Sequence, residues 1–316
     1  MSLVRAVDVE NGYGPATALV ISSEIRKPEP GPGEALVKVK CFGINRMDLS
    51  QRNGQYEIPS PASKILGVEF SGEIVGLGDQ MVNDQSAQDQ NFQTGDEVFG
   101  LIYRGAYAEY VCVSTLMIIR KPKSISWKVA AGIPEVWITA LQAMKVAGGF
   151  KASNSILWHA GASSVSIAGI QLSKALGAST IYATAGSEAK LSLCKGVDII
   201  IDFVGQDYFQ QNLNSAAKDG RVVIVGLLSG PKTAGSINLS PFVKQRIRVE
   251  GSRLRSRDLN YQKTLCDMLV SDVLPRIIDW TFNIQMEKVF DWHNIQAAHL
   301  LMESNTIMGK IVCKVT

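Results

Sequence analysis

From Ser155 to Leu227 the chain alternates short apolar runs with stretches of helical spacing, and this pattern constrains the fold more than any other feature. Ser155–His159 reads as a strand, Ile167–Leu176 as a helix and Ser179–Thr184 as a second strand. Glu188–Cys194 follows as a helical stretch, Val197–Val204 as a strongly apolar strand, Gln206–Ala217 as a helix and Arg221–Leu227 as a strand. Strands that alternate with helices imply a parallel, doubly wound sheet. One spacing is short. Between Thr184 and Val197 there is room for a single short helix, where the first half of such a sheet needs a further strand and helix; a strand–helix–strand unit takes roughly 30 residues. Either the chain lacks that unit or the sequence is interrupted there, and interruption is the favoured reading. The stretch Ile278–Glu287 is also tight.

The first third has another period. Glu34–Cys41 alternates apolar and charged side chains, the mark of a half-buried strand. β-like runs follow at Gly67–Leu77, Asp96–Ile102 and Tyr107–Ser114, punctuated by Gly and Pro clusters such as Lys27–Gly33. Short strands at this spacing imply a barrel or sandwich. Gly78–Gly95, rich in Gln, Asp and Asn, reads as an exposed, mobile loop. The chain closes with a helix at Asn294–Glu303 and a strand at Lys310–Val315, and no tandem repeat is visible. At 316 residues, two domains are expected.

Several function classes are disfavoured. The formal charge is +3, from 32 basic and 29 acidic residues without clustering, so nucleic acid is not an expected partner. No run of 18 apolar residues suggests a membrane span. Met1–Glu10 carries Arg5, Asp8 and Glu10 and does not read as a secretory or mitochondrial leader. Five widely spaced cysteines, Cys41, Cys112, Cys194, Cys266 and Cys313, argue against a disulfide scaffold or a CxxC knuckle. Reduced thiols in the cytoplasm are the simplest expectation.

The turn after the first strand of the doubly wound region is Gly161-Ala-Ser-Ser-Val-Ser166. It falls where a dinucleotide pyrophosphate meets a helix N-terminus, whose free N–H groups and dipole favour a phosphate. Gly161, Ser163, Ser164, Val165 and Ser166 are the candidate contacts. The usual fingerprint has three glycines; Ser163 and Ser166 stand at two of those places, small enough for close approach and able to add a hydroxyl donor. After the second strand the chain reads Thr184-Ala-Gly-Ser-Glu-Ala-Lys190. Gly186, Ser187 and Lys190 there suit the 2′-phosphate of NADPH, while Glu188 could instead accept the ribose of NAD. Gly205 and Gly226 end two further strands, at the edge where such sheets bind ligands.

Over essentially its whole length the sequence resembles the medium-chain dehydrogenase/reductases. The resemblance rests on Asn45–Ser50, Ile65–Gly72, Gly105–Tyr110, Ala130–Ala140, Ala298–Glu303 and Gly309–Val312. Within that superfamily it is most similar to zinc-independent quinone oxidoreductases. The branch induced by a tumour suppressor is suggested by Gln51–Tyr56, His159–Gly161 and Arg255–Asp258. The resemblance implies an α/β plus β fold: a GroES-like β-barrel domain over residues 1–124, completed by 281–316, with a Rossmann domain over 125–280. The positions matching the catalytic zinc ligands of alcohol dehydrogenases are Asn45, Val68 and Glu135, which do not make a zinc set. No metal is expected. His159, His293 and His299 are not spaced as ligands, and His299 reads as a packed core histidine. The resemblance places Tyr56 and Thr139 near the nicotinamide, with Tyr56 as a donor to the substrate oxyanion and Asn45 positioning ring or substrate. Arg257 is placed at the substrate mouth or a cofactor phosphate.

Without a Lewis acid, a substrate already able to accept hydride is favoured. The leading expectation is an NADPH-dependent quinone reductase. An enone or enoyl-thioester reductase comes second, and an NADPH-binding sensor with little turnover third. The expected partners are a small-molecule quinone or enone and, by family analogy, a second copy in a homodimer paired near Arg248–Ser252.

Overall fold

The computed structural model describes residues 2–56, 63–79, 91–184, 195–233 and 235–316. The first stretch carries β1 (Leu3–Val9), β2 (Leu19–Arg26), β3 (Glu34–Ile44), α1 (Arg46–Arg52), β4 (Glu69–Leu77), β5 (Glu97–Leu101), β6 (Tyr110–Ser114), β7 (Ile118–Arg120) and α2 (Trp127–Ala130). Next come α3 (Pro134–Leu141), β8 (Ser155–Trp158), α4 (Ser164–Ala175), β9 (Thr180–Ala183), β10 (Val197–Asp202), α5 (Phe209–Ser215), β11 (Ala216–Ile224), α6 (Ser240–Gln245) and β12 (Arg248–Gly251). The chain ends with α7 (Leu259–Met268), α8 (Leu274–Ile278), β13 (Met286–Asp291), α9 (Ile295–Glu303) and β14 (Lys310–Lys314). It divides into two compact units, residues 1–135 with 259–316 and residues 136–258. The expected boundaries at 125 and 280 fall inside the first unit. The physical reason is packing: α2 lies on β3 and β4, and α7 lies on the turn Thr115–Met117.

The first unit is built on β3. Its alternation at Glu34–Cys41 gives way to continuous burial over Cys41–Ile44, and the strand is paired on both sides throughout. β4 lies antiparallel along one side. The other side is shared, with β6 on the first half and β14 on the second. The order β13-β14-β3-β4-β5-β7 completes this seven-stranded sheet, and β1 with β2 forms a separate antiparallel pair. Phe42, Phe70, Phe99 and Tyr107 are buried in this unit, Phe42 and Tyr107 stacking at 4.3 Å.

The second unit is the parallel sheet expected from the alternation, in the order β12-β11-β10-β8-β9. Leu157, Ile200, Leu213 and Val222 form part of its core. β11 begins at Ala216, earlier than the expected Arg221, and α5 ends at Ser215 accordingly. The full sequence has only 13 residues between β9 and β10, too few for a further strand and helix, and among the described strands β9 stands at the sheet edge. The expectation of an interrupted sequence is therefore corrected: the chain lacks the strand–helix unit. A strand outside β9 would have paired with β9 alone, so its loss leaves every inner pairing intact. The connection from Ile278 to Met286 is of ordinary length. Most of the expected loop Gly78–Gly95 and the stretch Glu188–Cys194 lie outside the described residues.

His299 on α9 is fully buried, its ring edge-on to Tyr107 and its Nδ1 3.2 Å from the Arg52 guanidinium. Burial first, and the Arg52 charge second, push its pKa down to about 3. Nδ1 therefore accepts from Arg52. The unfolded chain takes up this proton first, at about pH 6.5, so stability falls as pH drops from there towards 3. We expect urea midpoints to fall over this window, and His299→Gln to flatten the fall by on the order of 5 kcal/mol at its acid end. An unchanged slope in His299→Gln would contradict this assignment.

Candidate functional site

Asn45 precedes the first turn of α1, and its backbone N–H donates to the Asp48 carboxylate at 2.8 Å. Asp48 is held in turn by the Tyr107 hydroxyl, which donates to it at 3.0 Å. Burial, with the Asp48 charge adding to it, pushes the Tyr107 pKa well above 10, so this phenol stays protonated. The Asn45 side chain is bonded at both ends. Nδ2 donates to Glu69 Oε1 at 2.9 Å, and Oδ1 accepts from Lys310 Nζ at 2.5 Å. Lys310 also donates to the Ile44 carbonyl at 2.9 Å and pairs with Glu69 Oε1 at 2.5 Å. The second Glu69 oxygen accepts the Glu135 backbone N–H at 2.9 Å. Glu69 and Lys310 are 0% and 1% exposed. Removing one member of such a pair costs roughly 3–5 kcal/mol, because the other charge stays buried alone.

Gly43 makes room for this cluster. A Cβ there would come 2.3 Å from Glu69 Oε1 and 2.9 Å from the Ala131 carbonyl. Tyr56, half-buried, follows the turn that ends α1, where Gly54 takes a φ of 70°. Asn45 and Tyr56 thus flank one helix whose seven residues rise about 10 Å.

The second unit gathers polar groups at the C-terminal ends of its strands. His159, just after β8, has Nδ1 3.0 Å from Thr184 Oγ1 and Nε2 2.7 Å from Asn212 Oδ1. Asn212 Nδ2 donates to Asp202 at 2.9 Å, and Asp202 accepts the N–H groups of Val204 and Gly205. Because Asn212 turns its nitrogen to a carboxylate, its oxygen faces the ring, and His159 carries its proton on Nε2. Burial lowers the His159 pKa and raises that of Asp202. This buried chain ties together the ends of β8, β9 and β10.

The turn at Gly161–Ser166 corrects one expectation. Ser163 caps α4, its Oγ accepting the Ser166 N–H at 3.2 Å and donating to Ser166 Oγ at 3.0 Å. Ser166 is fully buried and donates to the His159 carbonyl at 2.7 Å. The buried Ser166 hydroxyl proton is held inside the turn and is not a donor to a phosphate, while Ser163 stays a candidate. The first-turn amides of Ser164 and Val165 are left for that role. Gly161 donates to the Thr184 carbonyl at 2.7 Å, fastening the turn to the end of β9. Gly205 has a φ of 84°, and a Cβ there would meet Leu227 at 2.8 Å. Gly226 lies against the Phe203 carbonyl, Thr139 is half-buried on α3, and Arg257 is exposed. Gly186, Ser187 and Lys190 lie outside the described residues. Burial pushes the Cys41 thiol up to about 11 and those of Cys112 and Cys266 up to about 12, so none of these is a ready nucleophile near neutral pH.

Comparison with known proteins agrees with the fold. Residues 31–123 match the model of the alcohol dehydrogenase GroES-like domain, and residues 193–271 that of the zinc-binding dehydrogenases. A probable quinone oxidoreductase of Schizosaccharomyces pombe is 27% identical, over 95% of this chain and 94% of its own length. The solved structure of the quinone oxidoreductase from Coxiella burnetii is 27% identical, covers 100% of both chains and has a TM-score of 0.75. The chain belongs to the medium-chain dehydrogenase/reductase family. A 2-methylene-furan-3-one reductase of Solanum lycopersicum is 31% identical over 62% of this chain, which spans about half (51%) of that protein's length.

One family model is named for zinc, yet this member's residues do not fit that ion. Asn45, Val68 and Glu135 offer an amide, a hydrocarbon and a carboxylate, and the amide oxygen is bonded to an ammonium. Among the described residues no group of three His, Cys, Asp or Glu side chains could hold a metal ion. Glu69, Lys310 and Asp202 lie within longer sequence stretches that assign them no role. The available signal was a charge inside an apolar run, single in Gly309-Lys-Ile-Val312 and double, Asp198 and Asp202, in Val197–Val204.

Gly43→Ala tests the tight fit around Glu69. We expect a loss of about 1–3 kcal/mol in denaturant unfolding. Unchanged stability would show that the Glu69 carboxylate is not held against this strand.

Proposed function

We propose that this medium-chain dehydrogenase/reductase reduces quinones with NADPH and without a metal. The observation that carries the reading is the Asn45–Glu69–Lys310 cluster, where amide, carboxylate and ammonium satisfy one another and leave no donor set for zinc. A simple ketone would lack its Lewis acid at such a site. A quinone accepts hydride unaided, and its reduction leaves a hydroquinone oxyanion that needs hydrogen bonds and then a proton from water. The chemistry supplied by bound NADPH is the hydride, two electrons and one proton in a single transfer.

The chain's own residues divide this work. The Ser164 and Val165 amides at the α4 N-terminus suit a pyrophosphate. Gly205 and Gly226 shape the loops after β10 and β11, and Thr139 and Arg257 remain candidates for the nicotinamide and a phosphate. Ser187 and Lys190 favour the 2′-phosphate of NADPH on sequence grounds. On the first unit, Tyr56 donates to the oxyanion and Asn45 positions the reacting group.

A second reading, reduction of an enone, is favoured by the likeness to the tomato 2-methylene-furan-3-one reductase. Rates on an ortho-quinone and on a crotonyl thioester or enone separate the two.

The test is loss of NADPH absorbance on adding an ortho-quinone to chelator-treated protein under anaerobic conditions, with NADH as control. We expect chelator-resistant turnover that prefers NADPH, and a Tyr56→Phe variant with kcat lower by about 10- to 100-fold and an unchanged KM for NADPH. Turnover on enones alone, or turnover abolished by the chelator, would overturn the quinone reading.

A further inference from the structure

We propose that Lys310 and Glu69 are positioning residues that make Asn45 a second hydrogen-bond donor to the reduced substrate oxygen; this rests on the reductase reading above. An ammonium has only donors and a carboxylate only acceptors. Lys310 Nζ lies 2.5 Å from Asn45 Oδ1, and Glu69 Oε1 lies 2.9 Å from Asn45 Nδ2. These two partners fix which end of the amide is oxygen and which is nitrogen. Glu69 takes one of the two Nδ2 hydrogens, and the other has no acceptor among the described residues.

Lys310 cannot play this part itself. Its three hydrogens match three acceptors, the Ile44 carbonyl, Asn45 Oδ1 and Glu69 Oε1. Asn45 keeps 9% of its surface exposed, against 0% for Glu69 and 1% for Lys310. We take its amide as the cluster's outlet. An ammonium on the amide oxygen draws electron density from the nitrogen, which strengthens the remaining N–H as a donor. That N–H binds the oxyanion left by hydride addition, while the proton that neutralises it comes from water. Asn45 gives up no proton, and Lys310 acts only through it.

The experiment is a double-mutant cycle on the full chain, with Lys310→Met in the wild-type and Asn45→Ala backgrounds. We expect Lys310→Met to lower kcat for quinone by about 10- to 100-fold, with both KM values within about threefold. In Asn45→Ala it should cause no further loss. If Lys310→Met does not fold, the charge-neutral pair Lys310→Met with Glu69→Gln takes its place in both backgrounds. An equal loss in both backgrounds, or none in either, overturns the proposal. A second readout does not depend on turnover. In protein labelled with ¹⁵N at asparagine, the Asn45 side-chain resonances, assigned by their absence in Asn45→Ala, should move towards free-amide values in the lysine variant. Unmoved resonances overturn the proposal even where quinone is reduced. Moved resonances in a protein without quinone turnover leave the positioning intact and place the fault in the reductase reading.

Discussion

The buried ion pair between Glu69 and Lys310 is the constraint on which the first unit depends. It joins β4 to β14, strands 241 residues apart in the chain, across the central strand β3. A lysine and a glutamate removed from water are each costly, and their attraction repays that cost only when the remaining hydrogen-bonding capacity is met. Here it is met by the Ile44 carbonyl, the Asn45 amide and the Glu135 N–H. The roughly 3–5 kcal/mol lost on removing one partner is a large share of the 5–15 kcal/mol that holds a typical domain folded. Gly43 follows from the same constraint, since a side chain there would occupy the carboxylate's place. The residue at the mouth of the cluster, Asn45, inherits a fixed orientation from it.

The second unit shows a different economy of structure. Its sheet has lost a unit at one edge, yet β8, β10, β11 and β12 remain paired in parallel order. The buried chain from Thr184 through His159 and Asn212 to Asp202 holds the ends of three strands in register with polar contacts. It places the Gly161–Ser166 turn and the loop at Gly205 on the same edge of the sheet. An edge strand can be absent because no inner strand relies on it, whereas Asp202 accepts two backbone N–H groups that would otherwise be buried without a partner.

Much of the fold was legible in the sequence where burial imposes a simple period. β3 was visible because one face of its first half is exposed, and β10 because it is buried on both faces. β2 and β13 were not read, since their mostly half-buried residues carry no clean alternation. Asn45 and Tyr56 enter as candidates only through family likeness. Lys310 was not assigned a role, because only the return of β14 beside β3 brings it to Asn45, 265 residues away. The role of the Ser166 hydroxyl was misread for a local reason. In a turn this tight, a buried hydroxyl satisfies the backbone around it before it can serve a ligand.

The account's central claim is that the sheet lacking an edge unit still binds a dinucleotide at the ends of its strands. Calorimetric titration of the full chain with NADPH, in the absence of any substrate, tests it most directly. Saturable binding at one site per chain, tighter than that of NADH, is the predicted result. Absence of binding by both nucleotides would contradict it and show that the lost unit took the cofactor site with it.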